Sequence, residues 1–148
     1  MVLNQDFREF IELLNAKGVK YLVIGGYAVA FHGHPRYTKD IDFWIWLNEQ
    51  NAERMIEVLN DFGFASLGIL KDDFLDKDMV IQLGYPPNRI DLLTDLDAVD
   101  FETCYSTREE VELDGLMVSF LDLENLILTK RAAGRLQDLA DIEKLEGD

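Results

Sequence analysis

The stretch GGYAVAFHGHPRYTKDID, residues 25–42, joins a pair of glycines to two aspartates that stand two positions apart. The apolar run YLVI precedes it, and from Ile41 onward the run IDFWIWL follows. Both runs are typical of short buried strands, rich in aromatic and branched residues. The sequence therefore predicts that the two aspartates lie at the beginning of a strand.

Asp40 and Asp42 point to the same face of such a strand, with Cα atoms roughly 7 Å apart. Two ionised carboxylates at that separation repel by about 2 kcal/mol at an effective dielectric constant near 20. A bound divalent cation would turn this repulsion into attraction, which favours a metal site. On the DID pattern alone, a charged strand edge that limits aggregation is the more common explanation.

The length and composition of the chain indicate how many domains it forms. A chain of 148 residues that is 48% hydrophobic suits one domain, residues 1–148, with an ordinary core. The first residues lack the pattern of a signal peptide, and no segment approaches the roughly 20 apolar residues of a membrane span. We therefore expect a cytoplasmic protein without membrane contact. Its single cysteine, Cys104, has no internal disulfide partner and is expected to pack in the core.

The formal net charge of −15 excludes general attraction to a polyanion such as RNA. Contact with nucleic acid would have to be local. The candidate phosphate contacts are a cluster near the C-terminus and two residues of the opening stretch: Lys130, Arg131, Arg135, Arg36 and Lys39.

Gly25 and Gly26 fall between the predicted first strand and a short helix at residues 27–32. A backbone without side chains at a helix N-terminus lets phosphate oxygens approach N–H groups. A glycine pair by itself equally well makes a simple turn. Its position before the aspartate pair favours the phosphate interpretation.

A third carboxylate follows later in the chain. Residues 79–83 and 89–93 are predicted to form a hairpin, and Asp91 is the single acid within the second of these strands. If that strand lies beside the strand of Asp42, all three aspartates point one way. Asp95 is the alternative, although Asp91 has the better position within the strand.

The remaining pattern is mainly helical. We predict a helix capped by Asn4, a helix at residues 49–61, a strand pair around the DG turn at 114–115, and two C-terminal helical segments divided by Gly134. Residues 67–78 are expected to form a loop or an irregular edge. No internal repeat or linker is evident.

The run LVIGGYAVAFHGHPRYTKDIDFWI, residues 22–45, closely resembles the signature of the DNA polymerase beta-like nucleotidyltransferases, in which a glycine pair precedes a DxD on the next strand. The details HGHPRYTKDID and DLENLILTKRAAGRLQDLADIEKL resemble the small toxin-type members, including the AbiEii-type proteins of toxin–antitoxin systems. This resemblance covers most of the chain, and its two ends are the specific parts.

The resemblance implies an α/β (α+β) fold with a small mixed sheet, flanking helices and a C-terminal helical segment. It also implies transfer of a nucleoside monophosphate from an NTP, with two Mg²⁺ ions held by Asp40, Asp42 and Asp91. Lys130 resembles a family lysine that contacts the nucleotide, and Asp138 resembles the acid of its C-terminal motif. Gln137 departs from that motif, because a lysine commonly precedes the acid.

The acceptor implied by the toxin-type resemblance is an RNA such as tRNA, or a protein hydroxyl, and a possible partner is an antitoxin. A different class of function stays open: a catalytically inactive nucleotide-binding or protein-interaction module with the same fold. Fold alone does not choose between them, since function depends on the site.

Five other side chains within or just after the stretch have alternative roles. Arg36 either clamps the triphosphate or balances the charge of the aspartates. His32 and His34 lack a third ligand at zinc spacing and are expected to be structural. Trp44, with its neighbour Trp46, shares the face of Asp42 and marks core or interface rather than base stacking, although stacking stays open.

Overall fold

The computed structural model of the chain describes residues 3–33, 40–85 and 88–147. Six strands within these residues form one sheet: β1 (Tyr21–Ile24), β2 (Ile41–Ile45), β3 (Val80–Leu83), β4 (Ile90–Leu93), β5 (Glu109–Leu113) and β6 (Leu116–Phe120). Their spatial order is β3-β4-β2-β1-β6-β5, so the strands of residues 21–45 occupy the centre.

The sheet is mixed. β1 is antiparallel to β2 and parallel to β6, while β2 is parallel to β4. The pairs β3–β4 and β5–β6 are hairpins at the two edges. In the β5–β6 turn, Asp114 and Gly115 both have positive φ, 52° and 80°, as the predicted DG turn requires.

In the part of the chain that the structure describes, six α-helices accompany the sheet: α1 (Gln5–Ala16), α2 (Gly25–Phe31), α3 (Glu49–Asp61), α4 (Phe101–Ser106), α5 (Leu123–Ala133) and α6 (Leu136–Glu146). The Oδ1 of Asn4 accepts a 2.9 Å hydrogen bond from the backbone N–H of Phe7 and caps α1. Gly134, at φ 65°, separates α5 from α6. The predicted fold, a mixed sheet with flanking and C-terminal helices, is confirmed.

The alternation of side chains along β2 divides the core into two layers. Phe43 faces α1, where its ring lies 5.4 Å from that of Phe10. Trp44 faces the opposite side and meets Phe101 of α4 edge-on at 5.1 Å between ring centroids. Asp42 is on the side of Trp44, so strand alternation directs its carboxylate away from α1.

Residues 67–78 were expected to form a loop or an irregular edge. The structure has two short 3-10 helices there, Ala65–Leu67 at the beginning of the range and Lys71–Leu75 within it. Phe74 within the second is fully buried and anchors the segment to the core. A single buried residue leaves no periodic pattern in the sequence, so the helices were not predictable from spacing. Within the described ranges, no helix is both long and apolar enough to cross a bilayer.

Candidate active site

Asp42 and Asp91 are direct neighbours in the sheet. β2 and β4 run parallel, and their register pairs Asp42 with Asp91. Asp40 lies immediately before β2, two residues from Asp42. The strand pairing anticipated from the sequence therefore brings the three aspartates to one region, at the beginning of two adjacent strands.

Arg89 connects two of these aspartates. Its Nε donates to Oδ1 of Asp91 at 2.8 Å, and its Nη2 donates to Oδ2 of Asp91 at 3.0 Å and to Oδ2 of Asp40 at 2.9 Å. The side chain of Arg89 is 25% exposed and that of Asp91 is 11% exposed. Asp91 thus has the partner that a buried acid requires.

Arg89 was not among the residues predicted from the sequence. The available signal was parity: Arg89 precedes Asp91 by two positions, as Asp40 precedes Asp42, so each pair shares a strand face. Arg36, which was expected either to clamp phosphate or to balance the aspartates, lies outside the described residues, as does Lys39. Arg89 is a described residue that performs the balancing role.

Asp42 has an unusual proton affinity. Burial, the negative charge and hydrogen bonding of Asp91, and the charge of Asp40 together raise the pKa of Asp42 from 3.8 to about 7. Arg89 opposes it only weakly. Near neutral pH, Asp42 therefore exchanges a proton readily and gains from any further positive charge placed beside it.

Gly25 is positioned against Asp42. A Cβ atom at residue 25 would lie 2.2 Å from Oδ2 of Asp42, and the φ of Gly25 is 68°. Both facts require glycine here: a side chain would displace the carboxylate, and the left-handed backbone is costly for other residues. Gly26 follows within the first turn of α2.

The donor set fits a hard divalent cation, because all three aspartates offer carboxylate oxygens, the ligands that Mg²⁺ prefers. Asp42, whose pKa is raised by burial and by its acidic neighbours, is the member that a cation would stabilise most. In the arrangement of the described residues, no group of three His, Cys, Asp or Glu side chains is poised to hold a metal ion. The guanidinium of Arg89 is instead the cation bound to two of the aspartates.

A cleft of about 290 Å³ opens beside Asp42. Its sheet side includes Gly25 and Asp42, and its far wall comes from α5 and α6, where Lys130, Arg135 and Asp138 line it. The volume is at the lower end of the range of small-molecule sites, roughly 300–1,000 Å³. The N-terminal stretch and the C-terminal helices thus form two sides of one cleft.

Lys130 is held by two buried carboxylates of α6. Its Nζ lies 2.9 Å from Oδ2 of Asp141 and 3.4 Å from Oδ1 of Asp138. Gln137, at the position where the resemblance suggested a lysine, donates to Oδ1 of Asp141 at 2.8 Å. Gln137 therefore supports the buried network.

Asp138 also accepts a hydrogen bond from Arg135: the Nε of Arg135 donates to Oδ2 of Asp138 at 2.6 Å. Burial by itself raises the pKa of Asp138, but the hydrogen bonds of Arg135 and the charge of Lys130 outweigh it and lower the pKa below its ordinary value. Asp138 is thus ionised at neutral pH. The side chain of Arg135 is 77% exposed and stands at the mouth of the cleft.

The expected basic patch of Lys130, Arg131 and Arg135 is not an open cationic surface. Lys130 is only 7% exposed and is paired as described. Arg131 forms a 3.0 Å ion pair with Glu146. Each of the three cations has a carboxylate partner, so the patch carries little net charge for a polyanion.

The other predicted side chains have structural surroundings. The Nε2 of His32 lies 2.9 Å from the carbonyl oxygen of Leu121, while His34 lies outside the described residues. Trp44 is buried, consistent with core packing rather than base stacking. Cys104 is also buried, and burial raises the pKa of its thiol to about 11. Asp95 lines a separate hollow beside Trp44.

A family model described as a nucleotidyltransferase of unknown function (DUF6036) matches residues 3–146. The chain belongs to this nucleotidyltransferase family. The predicted membership of the nucleotidyltransferases is thereby confirmed, while the narrower resemblance to toxin-type members stays a prediction. A search of curated proteins found no match to this nucleotidyltransferase.

Solved structures share the fold. TM1012, a proposed nucleotidyltransferase from Thermotoga maritima, has a TM-score of 0.61 at 19% identity, over 93% of this chain and 88% of its own. LnuA, a lincosamide antibiotic adenylyltransferase solved with lincomycin, has a TM-score of 0.58 at 15% identity, over 98% of this chain and 97% of its own.

ANT(2'')-Ia, solved in complex with adenylyl-2''-tobramycin, has a TM-score of 0.58 at 10% identity, over 94% of this chain and 84% of its own. At these identities the likenesses establish the fold that this nucleotidyltransferase shares with the three proteins, and not its acceptor.

Proposed function

We propose that this chain transfers a nucleoside monophosphate from an NTP to a hydroxyl group, with the help of divalent cations. The observation that supports this most strongly is the alignment of Asp42 with Asp91 across two parallel strands, with Gly25 packed against Asp42. Three neighbouring carboxylates, one of which lines a cleft that also contains Lys130 and Arg135, suit a nucleotide that arrives with a metal ion.

In this proposal Asp40, Asp42 and Asp91 are the catalytic carboxylates and hold Mg²⁺, with two ions expected. The ions would activate the attacking hydroxyl and neutralise the triphosphate and the departing pyrophosphate. Asp91, beside Asp42, would hold the attacking side or accept the proton of the hydroxyl. Asp40 completes the set from the loop before β2.

The nucleotide would lie between the glycines and the C-terminal helices. Gly25 and Gly26 offer backbone that phosphate oxygens approach closely. Lys130 is a fixed positive charge on the opposite wall, and Asp138 contributes by holding Lys130 and Arg135 in place. Arg36 is proposed as a further triphosphate contact on the strength of its sequence position.

Three classes of acceptor are candidates: an RNA, a protein and a small hydroxyl compound. The toxin-type resemblance points to an RNA such as tRNA or to a protein hydroxyl. The paired state of Lys130, Arg131 and Arg135 disfavours a large RNA. LnuA and ANT(2'')-Ia are solved with antibiotics, so a small hydroxyl compound is a further acceptor class, and the charge of −15 favours a cationic one.

A labelling experiment tests the proposed activity. The chain is incubated with Mg²⁺, each α-labelled NTP in turn, and three separate acceptor pools: total tRNA, cell-extract protein and hydroxyl-bearing antibiotics including lincosamides and aminoglycosides. We expect label in one pool that is lost in Asp42→Asn and in the double variant Asp40→Ala, Asp42→Ala. Absence of labelled product from every pool, or label that persists in these variants, would contradict the proposal.

A role as the toxin of a toxin–antitoxin pair, with an antitoxin as partner, is a narrower proposal. Its support is the resemblance of the two ends of the sequence. Induced expression in a bacterial host provides the test: growth arrest by the natural chain, absent for Asp42→Asn at equal protein level, is the expected result. Equal growth with both chains would count against the toxin role.

One observation favours a second candidate, an inactive module with the same fold. In the described residues, Asp40 and Asp91 bind Arg89, and the aspartates do not form a group arranged to hold a metal ion. Calorimetric titration with Mg²⁺ and a non-hydrolysable NTP separates the two candidates when read beside the labelling experiment. Binding without transfer to any acceptor supports the module, whereas binding with transfer supports the enzyme.

A further inference from the structure

The guanidinium of Arg89 occupies a bridging position between two proposed metal ligands. It makes two hydrogen bonds to Asp91, at 2.8 and 3.0 Å, and one to Asp40 at 2.9 Å. Charge-assisted, forked contacts of this kind fix both partners in orientation. Arg89 therefore supplies these two carboxylates with the positive charge that a divalent cation would otherwise bring.

We propose that Arg89 is an internal counter-ion that competes with the divalent cation and must leave Asp40 and Asp91 before the cation binds. This inference rests on the metal-binding role given to the aspartates in the proposed function. Two observations support it: the described carboxylates form no ready metal-binding group, and Arg89 is 25% exposed, so that its side chain has a route to solvent.

The competition has an electrostatic and a geometric basis. A guanidinium within hydrogen-bonding distance of the ligands repels an incoming cation at short range, where the interaction is weakly screened. It also engages oxygen atoms of Asp40 and Asp91 that the cation would use as ligands. The described hydrogen bonds of Arg89 go to Asp91 and Asp40 and none of them goes to Asp42, so Asp42 is the aspartate at which Arg89 hinders the cation least.

The opposite role for Arg89 makes the opposite prediction. If Arg89 merely orients Asp40 and Asp91 for the metal, its removal leaves the two ligands disordered and weakens cation binding. If Arg89 competes, its removal strengthens cation binding. The sign of the change in metal affinity therefore distinguishes a competitor from a positioning residue, without any measurement of turnover.

The experiment measures Mn²⁺ and Mg²⁺ binding to the full chain by isothermal titration calorimetry at pH 8, where Asp42 is largely ionised. Arg89→Gln is compared with the natural chain and with Arg108→Gln. Arg108 is a close match, because its Nε donates to Glu110, two residues on, at 2.8 Å and its side chain is 28% exposed. The matched variant removes the same net charge at a different place.

We expect Arg89→Gln to bind the cation at least about tenfold more tightly than the natural chain, since one short-range repulsion is removed. Arg108→Gln should change the affinity by less than about twofold. Unchanged or weaker binding by Arg89→Gln overturns the inference and leaves the metal site of the proposed function intact. Failure of all three proteins to bind either cation overturns the proposed metal site, and the inference with it.

Thermal unfolding provides a second measurement on the same proteins. Without metal, Arg89→Gln should unfold at a lower temperature than the natural chain, because the repulsion among the aspartates is uncompensated. Saturating Mn²⁺ should raise the melting temperature of Arg89→Gln more than that of the natural chain. If Arg89→Gln does not fold, Arg89→Lys serves instead, because lysine keeps the charge but not the fork, and it should bind the cation more tightly than the natural chain. Equal or weaker binding by Arg89→Lys overturns the inference.

Discussion

The Oδ2 atom of Asp42 lies where the side chain of any residue other than glycine would begin at position 25. The separation between Oδ2 and an ideal Cβ on Gly25 is 2.2 Å, well inside van der Waals contact. The two residues are therefore coupled: the absence of a side chain at 25 determines where the carboxylate of 42 rests. This coupling joins the glycine pair to the DID motif, although Gly25 and Asp42 are 17 positions apart in the sequence.

Gly25→Ala should abolish cation binding and transfer, because the new methyl group displaces the carboxylate of Asp42. Gly18→Ala is the matched control, since Gly18 has φ 71° against 68° for Gly25, and its nearest neighbour is the flexible side chain of Arg54 at 3.5 Å. Both variants bear the backbone cost of alanine at positive φ, about 1 kcal/mol. Urea unfolding and Mn²⁺ titration provide the comparison.

The double variant Gly25→Ala, Asp42→Ala tests the coupling directly. Removal of the carboxylate relieves the clash, so the double variant should unfold like Gly18→Ala while staying inactive. If the double variant is as unstable as the sum of its single variants, the two residues are independent and the packing argument fails.

Asp42→Asn should alter the pH dependence of stability. The folded pKa of about 7 exceeds the ordinary 3.8, so between these values the folded chain binds more protons than the unfolded chain. The contribution of Asp42 to the free energy of unfolding therefore falls as pH rises from about 4 to about 7, by about 4 kcal/mol at most. The Asp42→Asn variant does not lose stability in this way, because asparagine does not titrate.

The measurement is urea unfolding of the natural chain and of Asp42→Asn at pH 5 and pH 8, without divalent cations. The free energy of unfolding of Asp42→Asn minus that of the natural chain should be larger at pH 8 than at pH 5. Added Mg²⁺ should reduce this difference at pH 8. A difference between the two proteins that is the same at both pH values would contradict the raised pKa.

Lys130→Met should destabilise the chain by about 3–5 kcal/mol, the usual effect of removing one partner from a buried ion pair. Asp138 and Asp141 are 1% and 0% exposed, and the variant leaves both near an apolar side chain. NTP binding should also weaken, because the cleft loses its fixed charge. Calorimetry with a non-hydrolysable NTP and urea unfolding measure the two effects.

Arg131→Gln is the control for Lys130→Met. The pair between Arg131 and Glu146 is about half exposed on both sides, so its loss should cost less than about 1 kcal/mol. Comparable destabilisation by the two variants would show that burial of the Lys130 network has no energetic consequence.

Total tRNA should bind the chain no more tightly than about 10⁻⁴ M at physiological salt, the weak end of non-specific binding. The reason is that Lys130, Arg131 and Arg135 are already paired with carboxylates. Fluorescence anisotropy with labelled tRNA is the measurement. Tighter binding that disappears in Arg131→Gln, Arg135→Gln would reinstate the C-terminal helices as an RNA-binding surface.

Much of the fold could be predicted because the apolar spacing, the glycines and the turn residues indicate the same helices and strands. Helix α3 begins and ends at the residues that the apolar spacing and the following glycine indicated, Glu49 and Asp61. The turn at Asp114 and Gly115 required the backbone that the DG pair favours. Strand parity and the expected hairpin predicted that Asp91 could join Asp42 if their strands were neighbours, and the pairing of β2 with β4 meets that condition.

The electrostatic partners could not be predicted in the same way. The carboxylates of Asp138 and Asp141 stand three positions apart on α6 and so face one side, which is a usable signal. Nothing in the sequence showed that this side is buried against Lys130. Arg89 was missed for a similar reason: its parity with Asp91 was visible, but nothing in the sequence showed that its side chain bridges Asp91 and Asp40.

The Lys130 network ties the shape of the cleft to the docking of α6. Lys130 belongs to α5, whereas both of its carboxylate partners belong to α6. If α6 moved away from α5, Lys130 would lose its partners at the same moment as the cleft lost Asp138 from its wall. On the proposed function, nucleotide binding therefore requires α6 to be docked.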